Sequence, residues 1–147
     1  MLRFWSRAGI AVAATGVVGV ASWVSALILP AGRPATCVET GCFCEAVSGG
    51  IPTQIEASWS SLAFVLLGVW VILQRGVPAT RERTLLPLAG LTMVAIGVSS
   101  FVYHATLTFV GQWLDVFSMY LLGLLIALGA LWRAGRRIEA RFQWNHA

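Results

Sequence analysis

Lysine is missing from this chain altogether, and acidic residues number only six. Charged residues make up 11% of the sequence, where a soluble domain carries roughly a quarter. That scarcity excludes a water-soluble globule, because too little polar surface remains to cover a core. Internal repeats and low-complexity tracts are also missing, which sets aside solenoids and disordered linkers. Aspartate occurs once, at Asp115, and histidine twice, at His104 and His146. Cysteine is confined to one polar segment, as Cys37, Cys42 and Cys44. Three such residues fall short of the four ligands of a structural zinc site. They leave either one local disulfide with a spare thiol or three free thiols.

What the sequence does have is apolar length. Hydrophobic residues make up 58% of it. They concentrate in four segments, at about 8–30, 58–73, 85–109 and 113–132. Each approaches the ~20 residues that cross a ~30 Å hydrocarbon core as a helix. The second is slightly short, which places its start at Glu56 or earlier. The expected fold is an all-α integral membrane helix bundle of about four transmembrane helices, in a single domain over 1–147. The first segment follows Arg3 and Arg7 and so has the charge layout of a signal peptide. Its apolar run exceeds the usual 7–15 residues, and no small-x-small cleavage site follows, so an uncleaved helix is the better reading. A lipoprotein signal ending at Thr36-Cys37 is weak, because Pro34 stands where an aliphatic residue belongs.

The net charge of +4 comes from arginine alone. The arginines sit in short clusters between apolar segments, which fits membrane topology and not nucleic-acid binding. Arg3 and Arg7 precede the first span. Arg75, Arg81 and Arg83 lie between the second and third, and Arg133, Arg136, Arg137 and Arg141 follow the fourth. With four spans, nine of the ten arginines share one side. The positive-inside rule makes that side cytoplasmic. Both termini are then inside, residues 31–55 form an extracytoplasmic loop, and 133–147 form a cytoplasmic tail. The link between the third and fourth spans, around Phe109 to Gln112, is outside and short. The composition fits a bacterial inner membrane.

This topology gathers the polar residues. Glu45 and Glu56 lie in or beside the outer loop. Ser100 and His104 lie in the outer half of the third span, and Gln112 and Asp115 at the outer start of the fourth. Ionisable groups within spans are costly and usually face a bundle interior. Ser100 and His104, at i and i+4, share a helix face. A tight turn makes the third and fourth spans antiparallel neighbours, so His104 and Asp115 can approach across the hairpin. A neutral imidazole can bind zinc, a carboxylate can take a proton from water, and a hydroxyl can donate to a developing oxyanion. A Ser/His/Asp nucleophilic triad is the weaker use of the same residues, since a helical serine lacks the exposed elbow of such nucleophiles. The plainer alternative is that His104 and Asp115 only bond helices together. Glu56 would then do no more than place a carboxylate at a helix N-terminus.

The stretch Ser100-Phe-Val-Tyr-His104-Ala-Thr-Leu-Thr-Phe-Val-Gly-Gln112-Trp-Leu-Asp115-Val-Phe-Ser-Met119 resembles the alkaline ceramidase signature, Ser-x3-His-x-Thr-Leu-x4-Gln-x-Leu-Asp-x3-Met. Upstream, Phe43-Cys44-Glu45, Glu56 and Ser60-Ser61 resemble the family's Cys-Glu segment and first helix. The resemblance covers Cys42 to Trp132 and makes 56–132 a partial ceramidase-like core, with 8–30 an extra helix. It implies part of a seven-helix membrane amidase that cleaves ceramide, in a superfamily with adiponectin-receptor-like proteins. By resemblance, His104 is one of three histidine ligands of a zinc ion, Asp115 accepts a proton from the zinc-bound water, and Ser100 positions the oxyanion or that water. Glu45 and Glu56 match acidic ligands of a calcium ion.

The chain departs from the family in three places. It has no His-x3-His pair to complete the zinc shell. Cys42 and Val47 stand where the calcium segment has Asp and Asn. The first helix is additional. The resemblance therefore implies a truncated zinc-dependent amidase acting on a ceramide-like lipid in the bilayer, or a half-protein paired with a second chain that supplies the missing helices. A non-enzymatic relative, receptor-like or structural, is the alternative.

Overall fold

In lipid no water is available to satisfy backbone N–H and C=O groups, so a spanning segment must satisfy its own, as a helix does. The computed structural model describes residues 2–28, 32–41, 45–74 and 82–144. Its elements are α1 (Leu2–Ile28), a short α2 (Thr36–Thr40), α3 (Ile55–Ile72), α4 (Glu82–Thr106) and α5 (Phe109–Trp144). Stretches within α1, α3, α4 and α5 are long and apolar enough to cross a membrane: Phe4–Ile28, Ile55–Ile72, Leu85–Thr106 and Phe109–Ile138. Large apolar side chains stand outward along them, with Val17 71%, Ile126 60% and Leu131 69% exposed. A surface of that kind needs lipid as its solvent. The chain is a multi-pass membrane protein built of helices, and the described residues include no strand, only an isolated bridge between Pro34 and Thr108.

The central element is α4, which packs on α3, α5 and α1. Its contact with α3 is a backbone contact. A Cβ on Gly68 would lie 2.5 Å from the Gly90 carbonyl oxygen, and one on Gly97 would lie 2.9 Å from that of Ser61. Small residues are what let membrane helices approach this closely, where dispersion and not the hydrophobic effect drives packing. Against both α3 and α4, α1 lays Ala26 on Phe101 and Ala105, with Leu62 of α3 packed alongside.

The α4–α5 link is shorter than the Phe109-to-Gln112 turn expected from hydropathy. It consists of Leu107 and Thr108 alone. Leu107 adopts a left-handed φ of 46° and stops α4. Thr108 then caps α5, its Oγ1 accepting from the Gly111 N–H at 3.3 Å, the bond an N-cap threonine makes to the third residue of its helix. At its other end α5 passes the expected stop at Trp132 and runs to Trp144. Residues 133–141 are rich in alanine and arginine, both strong helix formers, so nothing after the membrane stops the helix. Cys42, Cys44, Arg75, Arg81 and His146 lie outside the described residues.

Candidate functional site

The last carbonyls of a helix have no partner within it. Those of α4 are met by the loops. The Gln54 N–H donates to the His104 carbonyl at 3.0 Å, and the Thr53 N–H to that of Ala105 at 3.0 Å. The Thr53 hydroxyl also donates to the Ala105 carbonyl, at 2.7 Å. Ala35 donates to Leu107 and Phe109 to Arg33, each at 2.8 Å. From the α5 side, Gln112 Oε1 accepts from both the N–H and the hydroxyl of Thr36, at 2.9 Å each. The segments on either side of the undescribed 42–44 are thus both fastened to the α4–α5 hairpin. Cys37 within this region is disulfide-bonded.

Inside the fastening lies a run of polar side chains. Gln54 is 2% exposed. Its Nε2 donates to the Glu45 carbonyl at 3.3 Å, and its Oε1 meets His104 Nδ1 at 2.6 Å. With the amide nitrogen donating to Glu45, the amide oxygen is an acceptor, so Nδ1 carries the proton. The imidazole Nε2 is then left with its lone pair, and it has no hydrogen-bond partner among the described residues. Gln54 therefore grips His104 twice, by backbone and by side chain. Metal-binding histidines are held in this way by an acceptor on the nitrogen away from the ion.

Across the hairpin, the Asp115 carboxyl lies near His104. Asp115 is 7% exposed, and its buried Oδ1 has no hydrogen-bond partner. The Ser100 hydroxyl lies beside the same carboxyl. Beside this pair, Ser99 and Ser118 join α4 to α5 by a 3.0 Å hydroxyl contact. An unpartnered buried carboxylate oxygen is expensive and calls for an explanation.

The two glutamates part company. The Glu45 carboxylate accepts from the Glu56 N–H at 2.8 Å and the Ala57 N–H at 2.9 Å. It caps α3, whose own N-cap residue Gln54 makes no side-chain cap bond. The Ala57 N–H foremost, with those of Glu56 and Ile55 and the nearby His104, holds the Glu45 carboxyl below its ordinary value of 4.5. Glu56 contributes its backbone, and its side chain is exposed.

The described residues bring together Ser100, His104, Asp115 and Glu45, while the Glu56 side chain is exposed. Among them no group of three or more His, Cys, Asp or Glu is placed to hold a metal. One imidazole and one unpartnered carboxylate fit part of a zinc shell and do not suffice to retain the ion, which takes about three protein ligands. Gln54 was invisible to sequence reasoning. Its only signal was a polar residue, and a poor capping one, directly before the first apolar residue of a span.

Residues 53–143 match the family model described as Ceramidase. This chain belongs to the ceramidase family. The match opens at Thr53, the first residue fastened to the end of α4, and takes in the whole hairpin. It leaves α1 and α2 outside. No curated protein and no solved structure matches the chain. Ceramidase membership points to a hydrolase in general.

Proposed function

We propose that this protein takes part in hydrolysis of the amide bond of ceramide or a related lipid amide, through water activated at a zinc ion. The observation that carries the reading is the facing pair. His104 offers a free Nε2 while its Nδ1 is held by Gln54, and Asp115 presents a buried oxygen without a partner. In this reading His104 is one metal ligand. Asp115 takes a proton from the attacking water at Oδ1 and returns it to the leaving amine. Ser100 keeps the carboxyl turned toward that position. A bound zinc ion supplies Lewis acidity and a water of lowered pKa. The remaining ligands come from a second polypeptide or from helices beyond those described.

The pair belongs on the extracytoplasmic side of a bacterial inner membrane, with both termini cytoplasmic. Two features support this. Arginines crowd the other ends of the spans, and the disulfide at Cys37 belongs in an oxidising compartment.

The test is metal content and hydrolysis of a fluorescent ceramide, measured on the purified assembly. Asp115→Ala is expected to keep zinc and lose about 10²–10⁴-fold in rate, the contribution of a general base. His104→Ala is expected to lose both. An assembly that holds zinc and keeps full activity in both variants sinks the reading. A chain that folds, inserts and never binds metal with any partner favours the non-enzymatic alternative.

A further inference from the structure

The opposite end of the α4–α5 seam has features that this site does not use. A cavity of about 280 Å³ opens there, walled by Leu85, Leu86 and Ala89 of α4 and by Leu125 and Ile126 of α5, and Arg133 also lines it. A shallow depression on α5 itself continues past it, over Ala130, Arg133, Ala134 and Arg137. Arg133 belongs to both, so the apolar cleft runs on into a basic one. Small residues make the space. Gly129, Ala130 and Ala134 put no bulk on this face, and the nearest atom to a Cβ built on Gly129 is Leu85 Cδ1, at 3.7 Å.

Arg133 and Arg137, at i and i+4, share a helix face, and both are exposed. Among the described residues neither has a hydrogen bond or an ion pair. Arg136 is differently engaged, 5.4 Å above the Trp132 ring. Leu125 lies roughly 12 Å below Arg133 along the helix axis. The cleft therefore presents an apolar slot with two cations at one end, at the level where a lipid changes from chain to headgroup.

We propose that this cleft binds an anionic phospholipid, with one acyl chain between α4 and α5 and the phosphate at Arg133 and Arg137. Charge complementarity at the mouth and apolar walls below select such a molecule over a zwitterionic lipid. The proposal is independent of catalysis, since the cleft lies roughly 28 Å along α4 from His104.

The test is native mass spectrometry of the full chain in a neutral detergent, with phosphatidylglycerol or phosphatidylcholine added. The expected result is retention of one phosphatidylglycerol, about fivefold better than phosphatidylcholine. Arg133→Gln and Arg137→Gln should each weaken that retention about fivefold, the change that one basic residue near an anionic headgroup represents. Ala89→Phe, which fills the slot without changing charge, should weaken both lipids. Arg137→Gln, at an exposed position, keeps the test available if Ala89→Phe fails to fold. Equal retention of the two lipids overturns the proposal. So does an equal loss in Arg7→Gln, which would show an effect of overall charge. Displacement of the lipid by equimolar glycerol 3-phosphate overturns it too, and arginine variants that alter only oligomeric state would give the cleft to a second copy instead.

Discussion

Along α3, the central helix is met by backbone; along α5, it is met by side chains and by empty space. The first seam places Gly68 against Gly90 and Gly97 against Ser61, with no room for a Cβ. The second is pinned at the hairpin by Ser99 and Ser118 and opens at its other end into a cleft of about 280 Å³. A backbone seam fixes where α4 stands. A side-chain seam can be held by polar groups at one end and open into a cleft at the other. Asp115 and Arg133 both sit on α5, the first buried at the hairpin and the second lining the cleft.

The comparison breaks most completely at the tight seam. Gly97→Leu should destabilise the protein by about 3 kcal/mol or more, because the overpacking is against backbone and cannot relax by rotamer change. The loss of helicity in a detergent unfolding series checks this, and a tolerated leucine would show the seam to be loose. A leucine at Gly129, on the open seam, should cost far less. Next comes the grip on His104. Gln54→Ala leaves the ring N–H without an acceptor and opens a void, at a cost of about 2 kcal/mol. The same unfolding series checks it, and Gln54→Glu should recover only part of the loss, because it restores the acceptor for His104 but sets a second oxygen against the Glu45 carbonyl.

The Glu45 cap gives a pH signature. Its folded carboxyl is held below the ordinary value of 4.5. Its contribution to stability is therefore complete above that value and lost as pH falls through the lowered folded one. Glu45→Gln should flatten the acid limb of the stability profile there and leave the neutral region level. A profile unchanged in shape would mean the cap adds nothing. The smallest effect belongs to Ser118→Ala. It removes one interhelical hydroxyl contact, worth about 0.6 kcal/mol, and thermal melts in detergent should resolve it only marginally.

Hydropathy was enough to find the four spans, because crossing lipid sets both length and composition. Spacing was enough to bring His104 toward Asp115, because a short hairpin allows little else. The rest was hidden for physical reasons. Two of the four ties from Thr53 and Gln54 to α4 are backbone bonds, and backbone donors leave no mark in a sequence. The role of Glu45 was hidden because its partners are the N–H groups of residues 56 and 57, whose side chains are irrelevant to the bond. The exact turn was missed because Thr108, a good N-cap, lies inside a continuous apolar run. The seam glycines looked like ordinary composition until their neighbours were known.

The length of α5 has a mechanical consequence. Its 36 residues make a rod of roughly 54 Å, against a hydrocarbon core of roughly 30 Å. The hairpin pins one end, so the surplus projects at the other. A tilt of roughly 10° about that pivot sweeps the far tip by about 9 Å and moves Asp115, six residues from the start, by less than about 2 Å. Bilayer thickness or a ligand at the arginines can therefore swing the distal rod widely while the polar pair stays almost still. The geometry is that of a crane jib, whose load moves and whose bearing does not.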